Sequence, residues 1–306
     1  MVCIIYSDRF LDHDNGRSHP ERPERLTAIV DALKHAPWAN YLEWQQPTPV
    51  ADRDVLPWIE KLHRPDYIER VRQLALEGGG LLNMDTPVSP QSYDVALLAV
   101  SAWLDGIDRV LDAHSPAFVL ARPPGHHAEN HSGMGFCLFS NAAIAAYYAL
   151  TQESINRVAI LDWDVHHGNG SQYLTESNPN IAYCSLHQSP CYPGTGASSE
   201  TGQYNNVLNL PMNPGSTFAD YQPAFEQQVV PFLKEFNPDL LIVSAGYDAT
   251  QADPLAGISL HPSDYKAFVE YIHPVCDRLL FGLEGGYHLQ ALAQAVVATI
   301  GACMVF

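Results

Sequence analysis

Short apolar runs recurring between helix-patterned stretches constrain this chain more than any other feature. VCIIYS (2–7), AFVLA (117–121), RVAILD (157–162), IAYCSL (181–186), NVLNL (206–210), DLLIVSA (239–245) and RLLFGL (278–283) have strand length and carry little of the polar alternation of a half-wet strand. Strands of that kind belong in a parallel sheet covered on both sides, where side chains are buried above and below. Between them, Tyr93 to Leu111 places Ala96, Leu97, Val100, Trp103, Leu104, Ile107 and Leu111 on one helical stripe, and Phe218 to Phe236 does so with Tyr221, Phe225, Val229, Phe232 and Leu233. The expectation is an α/β fold with a mainly parallel central sheet and helices on both faces. The first hundred residues, rich in Pro, Asp, His and Arg, contain one such run and are expected to wrap the sheet and supply loops. No linker, repeat or low-complexity segment divides the chain, so residues 1–306 read as a single domain.

Composition narrows the function classes. With 46% hydrophobic and 16% charged residues, the chain resembles a well-buried globular enzyme. Its 16 Lys and Arg against 34 Asp and Glu, a net charge of −18, argue against a nucleic-acid partner and favour cationic substrates. The 6 cysteines form no CxxC pair, and MVCIIYSDRF lacks a basic region, apolar stretch and cleavage site in series, so a reduced cytoplasmic protein is expected. Two charge-poor stretches, Ser132 to Gln152 and Leu289 to Phe306, contain interrupting Gly, Asn, Gln and Thr and read as buried helices, with no membrane partner expected.

In open parallel sheets a ligand site lies beyond the carboxyl ends of the strands. Here AFVLA runs into RPPGHH, VAILD into WDVHHGNG, LLIVSAG into YDATQADP and LLFGL into EGGY. Four strand ends thereby deliver His126, His127, Asp162, Asp164, His166, His167, Asp248, Asp253 and Tyr287 toward one rim. Asp164 and His166, two apart on extended backbone, leave on the same side and can grip one ion, with Asp253 offering a third ligand. Nitrogen plus carboxylate ligands with one open position suit a catalytic zinc; helix caps and surface charges are the plain alternative for a DxH alone. Pro123, Pro124 and Gly125 supply the turn that would reorient the adjacent histidines, one of which could act as a base near neutral pH. Tyr287, after Gly285 and Gly286, could reach an oxyanion.

RPPGHH, GFCLFSNAAIAA, LDWDVHHGNG, SAGYDATQADPLAG and LEGGY together resemble the zinc-dependent histone deacetylase superfamily, with WDVHHGNG and EGGY most similar to its class II branch and bacterial amidohydrolase relatives. The resemblance runs from HPERPERL (19–26) through EGGYHL. It implies the arginase-like α/β fold, one Zn²⁺ per chain held by Asp164, His166 and Asp253, and Tyr287 polarising the substrate carbonyl. It further implies His127 as the main general base and acid, held by Asn169, and His126 as an electrostatic companion oriented by Asp162. Because Asn169 is neutral where class I relatives carry Asp, Asn169→Asp is expected to move the pH profile upward. Phe136 and Tyr192 would flank the acyl-lysine stem, with the Gly135 carbonyl near the substrate amide, although core packing is the plain role for such aromatics. A structural K⁺ would use Asp162, Asp164, His166, Ser185 and Leu186; Arg25 would match an arginine near a product-exit channel, and Asp85 a rim aspartate that holds the substrate backbone.

The implied activity is hydrolysis of N-acetyl-lysine in proteins or peptides. An acetylpolyamine amidohydrolase is the alternative, and Leu255, standing where a polyamine-selective relative carries Glu, favours a lysine-type or broad substrate without excluding polyamines. An inactive metal-binding interaction protein and an arginase-type binuclear hydrolase are the remaining readings; a homo-oligomer is compatible with all of them. His131, His187, His261, His273 and His288 are expected to be surface or structural, Cys137 and Cys184 buried and inert, and the glycines at 78–80 and 194–196 not phosphate loops.

Overall fold

The computed structural model describes residues 1–305. Its strands in chain order are β1 (Val2–Tyr6), β2 (Leu42–Gln45), β3 (Gly80–Asn83), β4 (Thr86–Val88), β5 (Ala117–Leu120), β6 (Val158–Asp162), β7 (Ile181–Gln188), β8 (Val207–Met212), β9 (Leu240–Ala245) and β10 (Leu279–Leu283). β3 and β4 form a separate antiparallel hairpin, and the other strands make one 8-stranded sheet in the order β2-β1-β5-β10-β9-β6-β7-β8. Every pairing in that sheet is parallel.

Both faces are covered, as the unbroken apolar runs require. Phe281 on β10 meets Trp163, which packs on Phe268 of helix Asp264–Ile272. Its neighbour Gly282 faces the opposite way, against Trp103 of helix Ser92–Ala113. Strand alternation thus sends consecutive residues into two different layers. Helices Glu24–Lys34, Asp264–Ile272 and Leu289–Cys303 pack together, and Ser92–Ala113 packs with Asn141–Ala149. A smaller apolar cluster joins Ile59, Ile68, Val71 and Phe139 to Leu97, Val100 and Leu104 on the outer side of Ser92–Ala113.

Three local expectations change. The early region contributes β2 and the β3–β4 hairpin as well as β1. β2 reads LEWQ because an edge strand pairs on one side only and keeps polar side chains, so it lacks the apolar signature of the central strands. Of Ser132 to Gln152, only Asn141–Ala149 is helical; Gly135 and Phe136 have φ of +54° and +71°, which ends any continuous helix there. The Phe218–Phe236 helix widens at Phe225–Val229 into a π segment, just before Pro231, which has no N–H to donate to an i−4 carbonyl. Among the described residues, no helix is long and apolar enough to cross a membrane.

Candidate active site

The four strands whose carboxyl ends carry the polar motifs are adjacent, β5-β10-β9-β6, at the middle of the sheet. Registers Asp162↔Ser244 and Leu283↔Ala245 bring those ends to one level. Beyond β6 the chain stays extended enough to alternate. Trp163 and Val165 are buried in the hydrophobic core, while Asp162, Asp164 and His166 hydrogen-bond to one another's backbone and side chains on the site side.

His166 Nδ1 lies 3.2 Å from Asp164 Oδ1 and 3.1 Å from Asp248 Oδ2. The ligand atoms of Asp164, His166 and Asp248 all fall within 4.8 Å of one another and are buried. Asp253, the third ligand that the resemblance implies, comes from the same loop and lies near enough for its charge to act on the Asp248 carboxyl. Its Oδ2 accepts from the backbone N–H of Tyr287 (2.6 Å) and His288 (3.3 Å), and its Oδ1 from Leu255 N–H (3.0 Å). The carboxylate at 253 thus ties down the Tyr287 loop while each oxygen keeps a lone pair, and Asp248, just past the end of β9, accepts from Val165 N–H on Oδ1 (2.8 Å) and meets His166 with Oδ2.

These residues fit a divalent cation. Burial and the nearby Asp164 push the Asp248 carboxyl up to about 7, against the opposing pull of His166, as expected for facing buried acids. A cation bound there would take the place of the His166 Nδ1 proton that the two carboxylates share. Close approach is secured by Gly285, where a Cβ would collide with the carboxylates of both Asp164 and Asp248; its N–H instead donates to Asp164 Oδ2 at 2.7 Å.

The adjacent histidines lie with ring centroids 4.0 Å apart, brought to the same side by a turn in which Ala128 N–H donates to Gly125 O at 3.0 Å. Their partners differ. His126 Nδ1 meets Asp162 Oδ2 at 3.0 Å; burial opposes a charge on the ring, but Asp164 and Asp162 outweigh it and push its pKa up to about 10. His127 Nδ1 meets Asn169 Oδ1 at 2.8 Å, and burial, then His126 and His166, hold its pKa well below the usual histidine range. His127 is therefore an uncharged ring beside a charged one.

A pocket of about 210 Å³ opens over this cluster, lined by Asp85, His127, Gly135, Phe136, His166, Tyr192, Leu255 and Tyr287. The Phe136 ring meets Tyr287 edge-to-face at 5.8 Å, and Tyr192 meets His127 at 5.2 Å. Phe136 keeps its strained φ because its N–H is tied to Thr86 Oγ1 (3.1 Å) and the Gly135 N–H to Asp85 Oδ1 (3.2 Å). The β3–β4 turn thus brings Asp85 onto the pocket wall.

Residues 19–303 match the histone deacetylase domain. The chain is 57% identical over 300 residues to an uncharacterised protein of Synechocystis, covering 98% of both. It is 35% identical over 279 residues to a histone deacetylase-like amidohydrolase of Pseudomonas aeruginosa, covering 88% of this chain and 72% of that one. The chain belongs to the histone deacetylase family. Its fold is the arginase/deacetylase-like α/β fold: the crystal structure of the HDA15 HD domain superposes with a TM-score of 0.93 at 32% identity, covering 99% of this chain and 89% of that one.

Within this family member, several supports escaped the sequence reading. Glu284 accepts from the backbone N–H of Gly125 (2.7 Å) and His126 (3.2 Å) and from Ser244 Oγ (3.1 Å), pinning the histidine turn to β9 and β10. Tyr183 donates to Asp162 at 3.0 Å, and Asn169 Nδ2 donates to Glu129 at 2.8 Å. Glu284 was legible as the charged residue in an otherwise apolar strand end; Glu129, in a loop, carried no local signal. Arg25 is wholly buried and serves as a clamp. Its guanidinium donates to the carbonyls of Gly286 and Glu284 and to Glu21, and lies 5.0 Å over the Tyr287 ring. Ser185 and Leu186 are buried on β7, Ser185 in register with Asp162 and bonded to His187.

Proposed function

We propose that this chain is a zinc-dependent amidohydrolase that removes acetyl groups from N-acetyl-lysine in proteins or peptides, acting as one domain in the cytoplasm. The observation that supports the reading best is the convergence of the Asp164–His166–Asp248 cluster, the uncharged His127 and Tyr287 on one narrow pocket. Zinc held by Asp164, His166 and Asp253, the set that the resemblance implies, would supply Lewis acidity toward a carbonyl and toward water.

The chain's own residues do the rest. His127, neutral and held through Nδ1, accepts a proton on Nε2 from the attacking water and passes one to the leaving amine. His126, kept positive by Asp162 and Asp164, favours negative charge developing nearby. Tyr287 donates a hydrogen bond to the carbonyl oxygen as it gains charge, from a loop held by Asp253 and Arg25. Phe136, Tyr192 and Leu255 flank an uncharged stem, while Asp85 and the Gly135 carbonyl face the substrate backbone and amide. The monovalent cation suggested by the resemblance would draw on Asp162, Asp164, His166, Ser185 and Leu186.

The net charge of −18 favours a second substrate, an acetylated polyamine. Measuring kcat/KM for an acetyl-lysine peptide beside an acetylated polyamine decides between them. A hundredfold peptide preference is expected, about 2.7 kcal/mol of differential transition-state binding. The reverse preference assigns the polyamine, and activity on neither with metal bound overturns acetyl-amide hydrolysis.

A further inference from the structure

We propose that Glu129 is a positioning residue that acts through Asn169 to fix the tautomer of His127, an assignment that rests on the amidohydrolase reading above. Asn169 stands between two partners, with Oδ1 2.8 Å from His127 Nδ1 and Nδ2 2.8 Å from Glu129 Oε1. A carboxylate accepts and cannot donate, so the amide nitrogen must face Glu129 and the amide oxygen must face His127. His127 Nδ1 then has to carry the proton, which leaves Nε2 bare. Without Glu129 the amide could flip and serve either tautomer equally well.

The surroundings hold this arrangement. The other Nδ2 hydrogen of Asn169 has Met134 Sδ as acceptor at 3.5 Å. Glu129 is fixed by its main chain, whose N–H donates to Ser132 O (2.9 Å) and whose carbonyl accepts from His63 Nδ1 (2.8 Å). His63 in turn accepts Ser140 N–H on Nε2 at 3.0 Å, so its own tautomer agrees. His126 reaches the same result with its carboxylate in direct contact; His127 has its carboxylate one amide further away.

Asn169→Asp alone therefore faces two carboxylates across one hydrogen-bond distance, and the simple upward pH shift expected from sequence does not follow. Moving the charge by adding Glu129→Gln rebuilds a donor–acceptor chain. Glu129→Ala is expected to lower kcat about tenfold or more with KM within about twofold. Asn169→Asp should lose at least as much, and Asn169→Asp with Glu129→Gln should recover about tenfold of that loss, with unfolding temperatures confirming folded protein. Ring ¹⁵N chemical shifts should report His127 protonated on Nδ1 in the wild type and a tautomer mixture in Glu129→Ala. Unchanged kcat and unchanged ring shifts in Glu129→Ala, or a double variant worse than Asn169→Asp, would overturn the assignment. If the wild type cleaves no acyl amide the functional reading fails, and the ring shifts still decide the role of Glu129.

Discussion

The floor and the rim of the pocket are built in different ways. Asp162, Asp164, His166 and Asp248 come from adjacent strand ends and are buried; the three carboxylates accept from the backbone N–H groups of Asp164, Val165 and His166, and the His166 ring meets two of them. Tyr192 and Leu255 at the rim are 39% and 38% exposed, and Asp85 comes from a small hairpin outside the main sheet. A floor set on the sheet holds its geometry within a fraction of an ångström, as bond-making chemistry needs, while loops can vary without disturbing it. The fold therefore separates what reaction is done from which molecule it is done to.

That separation can be tested by stability first. Burial disfavours the Glu21 carboxylate, but Arg122 and Arg25 outweigh burial and lower its pKa from 4.5 to about 2. A depressed carboxyl stabilises the fold fully above about pH 4.5 and loses that contribution as pH falls toward 2, roughly 3 kcal/mol in all. Glu21→Gln should flatten the pH dependence of urea unfolding between pH 5 and 3 while lowering stability at neutral pH. Parallel curves would show that the buried network beneath the Tyr287 loop does not hold the floor. At the rim, Asp85→Asn should lower kcat/KM for a peptide about tenfold, mostly through KM, with the unfolding temperature almost unchanged. A kcat loss as large as the KM change would place Asp85 with the floor. The smallest effect is expected for Leu255→Ala, about threefold in peptide kcat/KM from lost apolar contact.

The same division governs how much could be read from sequence. The central strands and the floor were legible because buried parallel strands need apolar runs and because polar clusters at their ends are costly without a partner. Asp248 and Asp253 are equally acidic in one loop, and only the folded backbone shows that Asp248 meets His166 while the N–H groups of Tyr287 and His288 bond to Asp253. Arg25 was recognisable as special but not as a clamp, since its acceptors are main-chain carbonyls more than 250 residues away. β2 and the β3–β4 hairpin were missed because edge and hairpin strands can be half polar. Glu129 was invisible because its importance lies in a partner forty residues on.

The most direct test of the account is metal content in two single variants, Asp248→Asn and Asp253→Asn, each purified and compared with the wild type for bound zinc per chain and for kcat. Asp253→Asn should lose bound zinc and about a thousandfold or more of kcat, whereas Asp248→Asn should keep most of its metal and lose less activity, since Asp248 acts on His166. Metal lost in Asp248→Asn and retained in Asp253→Asn would contradict the ligand set on which the proposed chemistry depends.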